Sequence, residues 1–225
     1  VWTITTEMQP TVSTAEAQSI TTTKSSNLME EQLRELLSSM KRLLINGEQL
    51  RHSAVLVPLL TIHGTYHILL IKRSQQVEHH KGEISFPGGV CEKDDGSFEK
   101  TALRETLEEV GVQPDDVVVL GILDDMETVS TRYRVTPVIG VIPHPYTFTL
   151  CANEVDEIIT VPVSHLLHET NGKEEPVLRQ GKTYTGYVYH YKDYVIWGAT
   201  ARILKNFLTL WQEIRRLDDT GSSLL

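Results

Sequence analysis

Glu105, Glu108 and Glu109 fall at i, i+3 and i+4 in the segment Arg104-Glu105-Thr106-Leu107-Glu108-Glu109-Val110-Gly111. On a helix that spacing projects all three carboxylates from one side. Like charges so placed repel, and the last turn of a helix disfavours anions because the negative end of its dipole lies there. Glu99, Asp94 and Asp95 add negative charge that Lys100 and Arg104 do not balance. A bound cation accounts for such a cluster. Carboxylate oxygens are hard donors, which suit Mg2+ or Mn2+ rather than zinc. Gly88-Gly89 stands upstream, and with no Cβ in the way a backbone carbonyl there can approach the same ion. Gly89 is therefore a fourth candidate ligand. The plain alternative is a solvated acidic helix face. Upstream again, Arg73, His80 and Lys81 are bases that precede this loop, and downstream Glu154, Asp156 and Glu157 offer a late carboxylate.

These residues need elements to hold them. Ser97 is placed to cap a helix that runs to Val110, with Gly111 as its left-handed stop. Residues 54–61 and 66–72 are β-rich runs around His63-Gly64-Thr65, the pattern of a hairpin. Further strands are expected over 117–123, 134–142, 157–161 and 184–191. Tyr187, Tyr189 and Tyr191 alternate at strand period and are expected on one half-exposed face. An N-terminal helix is expected over 28–44, capped by Asn27 and ended by Gly47, and a last amphipathic helix over 199–217. Strands and helices mix without a steady βαβα order, which indicates an α/β sandwich on a mixed sheet. Residues 1–27 hold twelve Ser or Thr and read as a leader without its own fold. Residues 28–217 read as one domain, and 218–225 as a polar tail.

Charge narrows the function. Thirty acids against 21 bases give a net charge of −9, which argues against a nucleic-acid binder. Cys91 and Cys151 alone make neither a disulfide scaffold nor a Cys-rich zinc module, and they fit a reducing compartment. No apolar run is long enough to span a bilayer.

Gly89 followed by Arg104-Glu105-x-x-Glu108-Glu109-x-Gly111-Val112 resembles the Nudix box. In that family a loop–helix–loop binds divalent metals and hydrolyses a diphosphate linked to a further group. Two positions depart from the general box. Gly96 stands where it carries a Glu, and Gly89 to Arg104 is one residue longer. Both departures resemble one subgroup, the coenzyme A diphosphatases. So does Leu69-Leu70-x-x-Arg73-Ser74 followed by Gly82-x-x-x-Phe86-Pro87-Gly88-Gly89. Val135-Thr136-Pro137 and Ile196-Trp197-Gly198 are similar too, so the resemblance covers about residues 28–210. Glu78 stands where the subgroup's motif carries a basic residue.

The resemblance implies a Nudix α/β/α sandwich around a mixed sheet and a Mg2+- or Mn2+-dependent diphosphatase. Glu105, Glu108, Glu109 and Gly89 are implied as metal ligands. Glu105 and Glu108 are catalytic candidates, and one of the three glutamates, Glu105 foremost, can serve as general base. Arg104 joins them as the residue that holds the cluster, and Arg73, His80 and Lys81 are candidates to meet phosphate. The partner implied is a small nucleotide diphosphate, with coenzyme A or acyl-coenzyme A foremost, ADP-ribose second and a non-catalytic sensor third. Neither nucleic acid nor membrane is an expected partner, and a homodimer is left open. The expected location is cytoplasmic, since the chain ends Ser-Leu-Leu and not Ser-Lys-Leu.

Overall fold

The structure, a computed structural model, describes residues 28–45, 50–128, 132–179 and 181–221. The expected Asn27 cap, the Gly47 stop and the leader 1–27 lie outside the described residues, as do residues 222–225 of the expected tail.

The chain enters through helix α1, residues 28–39. It is shorter than the expected 28–44. The hydroxyls of Ser38 and Ser39 bond back to the carbonyls of Glu35 and Leu36, competition that unwinds a helix end. Beyond it, Asp124 and Asp125 accept the backbone N–H groups of Leu43 and Ile45, and Arg42 is drawn onto Asp125 at 2.7 Å. Those bonds replace the helical ones.

Strands β1 (Arg51–Ile62) and β2 (Thr65–Arg73) form the expected hairpin. Ile62 pairs with Thr65, so His63 and Gly64 make the turn with φ of 47° and 76°, the paired positive values of a type I′ turn. Short β3 (Ile84–Ser85) and β4 (Gly88–Val90) follow, then α2 (Phe98–Val110), β5 (Val118–Ile122), β6 (Met126–Glu127), β7 (Tyr133–Val141) and β8 (Val155–Pro162). β7 runs parallel to β1, while β2 and β4 run antiparallel to it. A parallel neighbour needs a crossover, and α2 lies in that connection. The sheet order is β3-β2-β1-β7-β5, with β8 on β2, β4 on β1 and β6 on β7.

Alternation in the central strands supplies two cores. Ala54, Leu56, Leu69 and Ile71 face Ala102 and Val110 of α2. Val57, Leu59, Ile68 and Leu70 face the other way, onto Leu33 and Leu37 of α1 and Phe207 and Trp211 of α4 (Gly198–Gly221). Burial of each such side chain contributes on the order of 1.5–3 kcal/mol. The fold is thus an α/β/α sandwich around a mixed sheet. α4 runs to Gly221, past the expected residue 217.

A second, three-stranded sheet comprises β9 (Gly172–Arg179), β10 (Lys182–Tyr191) and β11 (Tyr194–Ile196), reached through the short α3 (Val163–Leu166). β9 had no expectation behind it: it holds Pro176 and several charges, which a strand tolerates at an edge. The tyrosine face also differs. Tyr189 is buried in the core, while Tyr187 and Tyr191 are half-buried against it. No helix among the described residues is long and apolar enough to cross a membrane.

Candidate active site

Both ends of α2 are fixed as its sequence indicates. Ser97 is extended, and its hydroxyl accepts the Lys100 N–H at 3.2 Å. Gly111 takes φ 76° and donates its N–H to the Leu107 carbonyl at 2.9 Å. The segment after β7 folds over this end: Thr149 and Cys151 donate to the carbonyls of Val110 and Glu109. Glu154, which follows, is brought near the glutamates of α2, where its charge raises the pKa of both Glu105 and Glu109.

β4 sets the other wall. Gly89 pairs with Ala54 of β1, and a Cβ added at Gly89 would fall on the Glu105 carboxyl group. The glycine therefore lets carboxylate and backbone meet. Next to it, the Gly88 N–H donates to Oε2 of Glu109 at 2.9 Å.

The three glutamates do not stand alike. Glu109 is 1% exposed, and its Oε1 lies 3.6 Å from Nη1 of Arg73. Burial pushes its pKa up to about 8, against the opposing pull of the Gly88 N–H and Arg73. Glu105 is half-desolvated, which also raises its pKa, while Arg104 at 2.9 Å pulls it down. The Glu108 side chain is 54% exposed and rests 3.3 Å from Arg104. The expected single face is divided because α2 lies flat on the sheet, so i+4 turns inward and i+3 outward. Among the described residues, no three His, Cys, Asp or Glu side chains converge closely enough to hold an ion as they stand. The donor set still fits a hard cation: buried carboxylate oxygens crowd a stretch of backbone that carries no Cβ.

Arg104 organises the cluster. Besides Glu105 and Glu108, it donates to the Val90 carbonyl of β4 at 3.0 Å and twice to Asp95, at 2.8 and 3.1 Å. Asp95 is buried and also accepts the Thr101 hydroxyl at 2.7 Å and the Glu92 N–H at 2.8 Å. By residue type Asp95 is surplus negative charge, whereas in the fold it is the main counter-ion of Arg104. Its position beside Gly96, where the general box has its Glu, was the available signal.

Of the upstream bases, only Arg73 is brought to the glutamates. His80 takes φ 58° and sets Nδ1 3.1 Å from Glu83, and Lys81 is exposed. Glu78 is 88% exposed, with His79 at 3.9 Å. Of the late carboxylates, Glu157 accepts the Tyr194 hydroxyl at 2.6 Å instead of facing α2, and Asp156 is exposed.

The sequence matches the NUDIX domain family over residues 50–180. Proteins named uncharacterized Nudix hydrolase NudL are 34% identical in Citrobacter koseri and 36% in Shigella boydii, each over 163 residues. These alignments span 72% of this chain and 84% of each relative. A MutT/nudix family protein from Enterococcus faecalis superposes with a TM-score of 0.46 at 19% identity, over 88% of this chain and 74% of that one. The family match spans the whole site, from the hairpin that carries Arg73 through α2 and its glutamates to the strand after Glu154, and on these grounds the chain belongs to the Nudix hydrolase family.

Proposed function

We propose that this Nudix hydrolase cleaves the diphosphate of coenzyme A or an acyl-coenzyme A, giving 3′,5′-ADP and a phosphopantetheine. The observation that carries the site is the pair of desolvated carboxyl groups, Glu105 against Gly89 and Glu109 on the Gly88 N–H, each beside an arginine. Glu105, Glu108, Glu109 and the Gly89 carbonyl would hold Mg2+ or Mn2+, Glu108 by rotating in from solvent. When bound, such an ion neutralises phosphate charge and lowers the pKa of water. Glu105 or Glu108 takes the proton of the attacking water. Arg104 holds both in place, and Arg73, His80 and Lys81 are the candidates to meet the phosphates. Residues 28–217 act as one domain, and the two free cysteines suit the reducing cytoplasm.

Mg2+ should stabilise the fold, because it relieves repulsion among the glutamates. At 100 times its Kd the gain is about 2.7 kcal/mol, read as a rise in Tm against a chelator control. An unchanged Tm at saturating Mg2+ or Mn2+ would remove the metal argument.

A second reading, ADP-ribose or another nucleoside diphosphate derivative, is favoured by Glu78, an acid where the resembling subgroup carries a base. Its side chain is 88% exposed, so it acts through water. A charge in water acts on a phosphate 4 Å away by only about 1 kcal/mol. Glu78→Arg reverses that charge, a swing of about 2 kcal/mol per unit of phosphate charge at that distance, so kcat/KM for coenzyme A should rise by no more than about 30-fold, with dephospho-coenzyme A and ADP-ribose as comparisons. A larger and selective gain for coenzyme A would place Glu78 at the 3′-phosphate.

A further inference from the structure

Arg73 stands apart from the other bases of its loop. It ends β2 at a register shift between Lys72 and Arg73. Its backbone is locked on both sides, N–H to the Glu83 carbonyl and carbonyl to the Gly82 N–H, each at 3.0 Å. The side chain is thereby aimed inward, 3.6 Å from Oε1 of Glu109. That separation is an ion pair without a hydrogen bond. The Arg73 Nε is buried without a hydrogen-bond partner among the described residues. The other Glu109 oxygen is already held by Gly88. The guanidinium thus faces a buried carboxyl group without hydrogen-bonding to it, an arrangement suited to release.

Resting on the reading of Glu109 as a metal ligand, we propose that Arg73 is a stand-in cation. It occupies the open face of Glu109 in the metal-free enzyme and yields it to the divalent ion, which frees the guanidinium for a phosphate of the substrate. Ion and guanidinium compete for one carboxylate oxygen, so Arg73 sets a threshold for ion loading and makes loading precede productive substrate binding. A proton also competes for Glu109, but it carries half the charge of the ion and loses less to the guanidinium.

The test is calorimetric titration with Mg2+, without substrate and at fixed pH and ionic strength, on the unmodified protein and on Arg73→Gln, Arg73→Lys and Glu109→Gln. Arg73→Gln should bind Mg2+ about tenfold more tightly, while Arg73→Lys, which keeps the charge, should stay close to the unmodified protein. Unchanged or weaker binding by Arg73→Gln overturns the proposal. Should Arg73→Gln fail to fold, the NMR signal of the Arg73 Nε–H in the unmodified protein decides. It should move as Mg2+ is added, and a signal that stays fixed at saturation also overturns the proposal. Glu109→Gln isolates the underlying reading. If it binds Mg2+ as tightly as the unmodified protein, Glu109 is no ligand, whatever Arg73 does.

Discussion

Replacing Glu109 with Gln is expected to lower kcat by at least about 100-fold, the low end for loss of one electrostatic or acid–base contribution. The same change should stabilise the metal-free fold at neutral and alkaline pH. Burial raises the pKa of Glu109 from an ordinary 4.5 to about 8, so the folded state favours the protonated form. Between those values the unfolded chain has released its proton and the folded chain keeps it. Stability of the metal-free protein therefore falls as pH rises through that window, and the loss is complete above the folded pKa. At about 1.4 kcal/mol per unit, the loss is on the order of a few kcal/mol. A Gln cannot ionise, and its amide oxygen can still accept the Gly88 N–H. Denaturation in chelator at pH 5, 7 and 9 should show the slope in the unmodified protein and a flatter profile in the variant. Near-full activity in Glu109→Gln would make the residue simple packing.

Asp95→Ala should both destabilise the fold and lower activity. It deletes two bonds to Arg104, one to Thr101 and one to the Glu92 N–H. Breaking a buried pair costs about 3–5 kcal/mol when the remaining charge is stranded. Arg104 keeps Glu105, Glu108 and the Val90 carbonyl, so a cost of about 3 kcal/mol is expected, a fall of roughly 6–12 °C in Tm for a chain of this size. Activity should fall too, because Arg104 would no longer fix Glu105. Arg104 holds the Asp95 carboxyl well below the usual carboxylate range. Its contribution is therefore intact at neutral pH and is lost only in acid, below the ordinary Asp value. A Tm within 2 °C of the unmodified protein would show that the clamp is not structural.

Much of this site is legible in local sequence because its framework is local. Ser97 and Gly111 mark α2 by cap chemistry, and the hairpin of β1 and β2 follows from two apolar runs around His63-Gly64. Other features depend on partners far along the chain. Helix α1 stops early because Asp124 and Asp125 compete for its backbone, a contact 80 residues away or more. Asp95 looks like one more negative charge until the loop folds it onto Arg104. The inward turn of Arg73 and the solvent-facing loop of Glu78 to Lys81 cannot be separated by residue type, since each is a charged group before the same glycines. The division of Glu105, Glu108 and Glu109 between buried and exposed depends on how α2 lies on the sheet.

The most direct test of the proposed activity is product mass after incubation of coenzyme A with the enzyme and Mg2+ or Mn2+, alongside a chelator control. With metal, 3′,5′-ADP and 4′-phosphopantetheine are expected; with chelator neither should form, and Glu109→Gln should lose both. Intact coenzyme A in the presence of metal, with ADP-ribose cleaved under the same conditions, would contradict the coenzyme A assignment. No cleavage of either substrate would contradict the diphosphatase reading of the site.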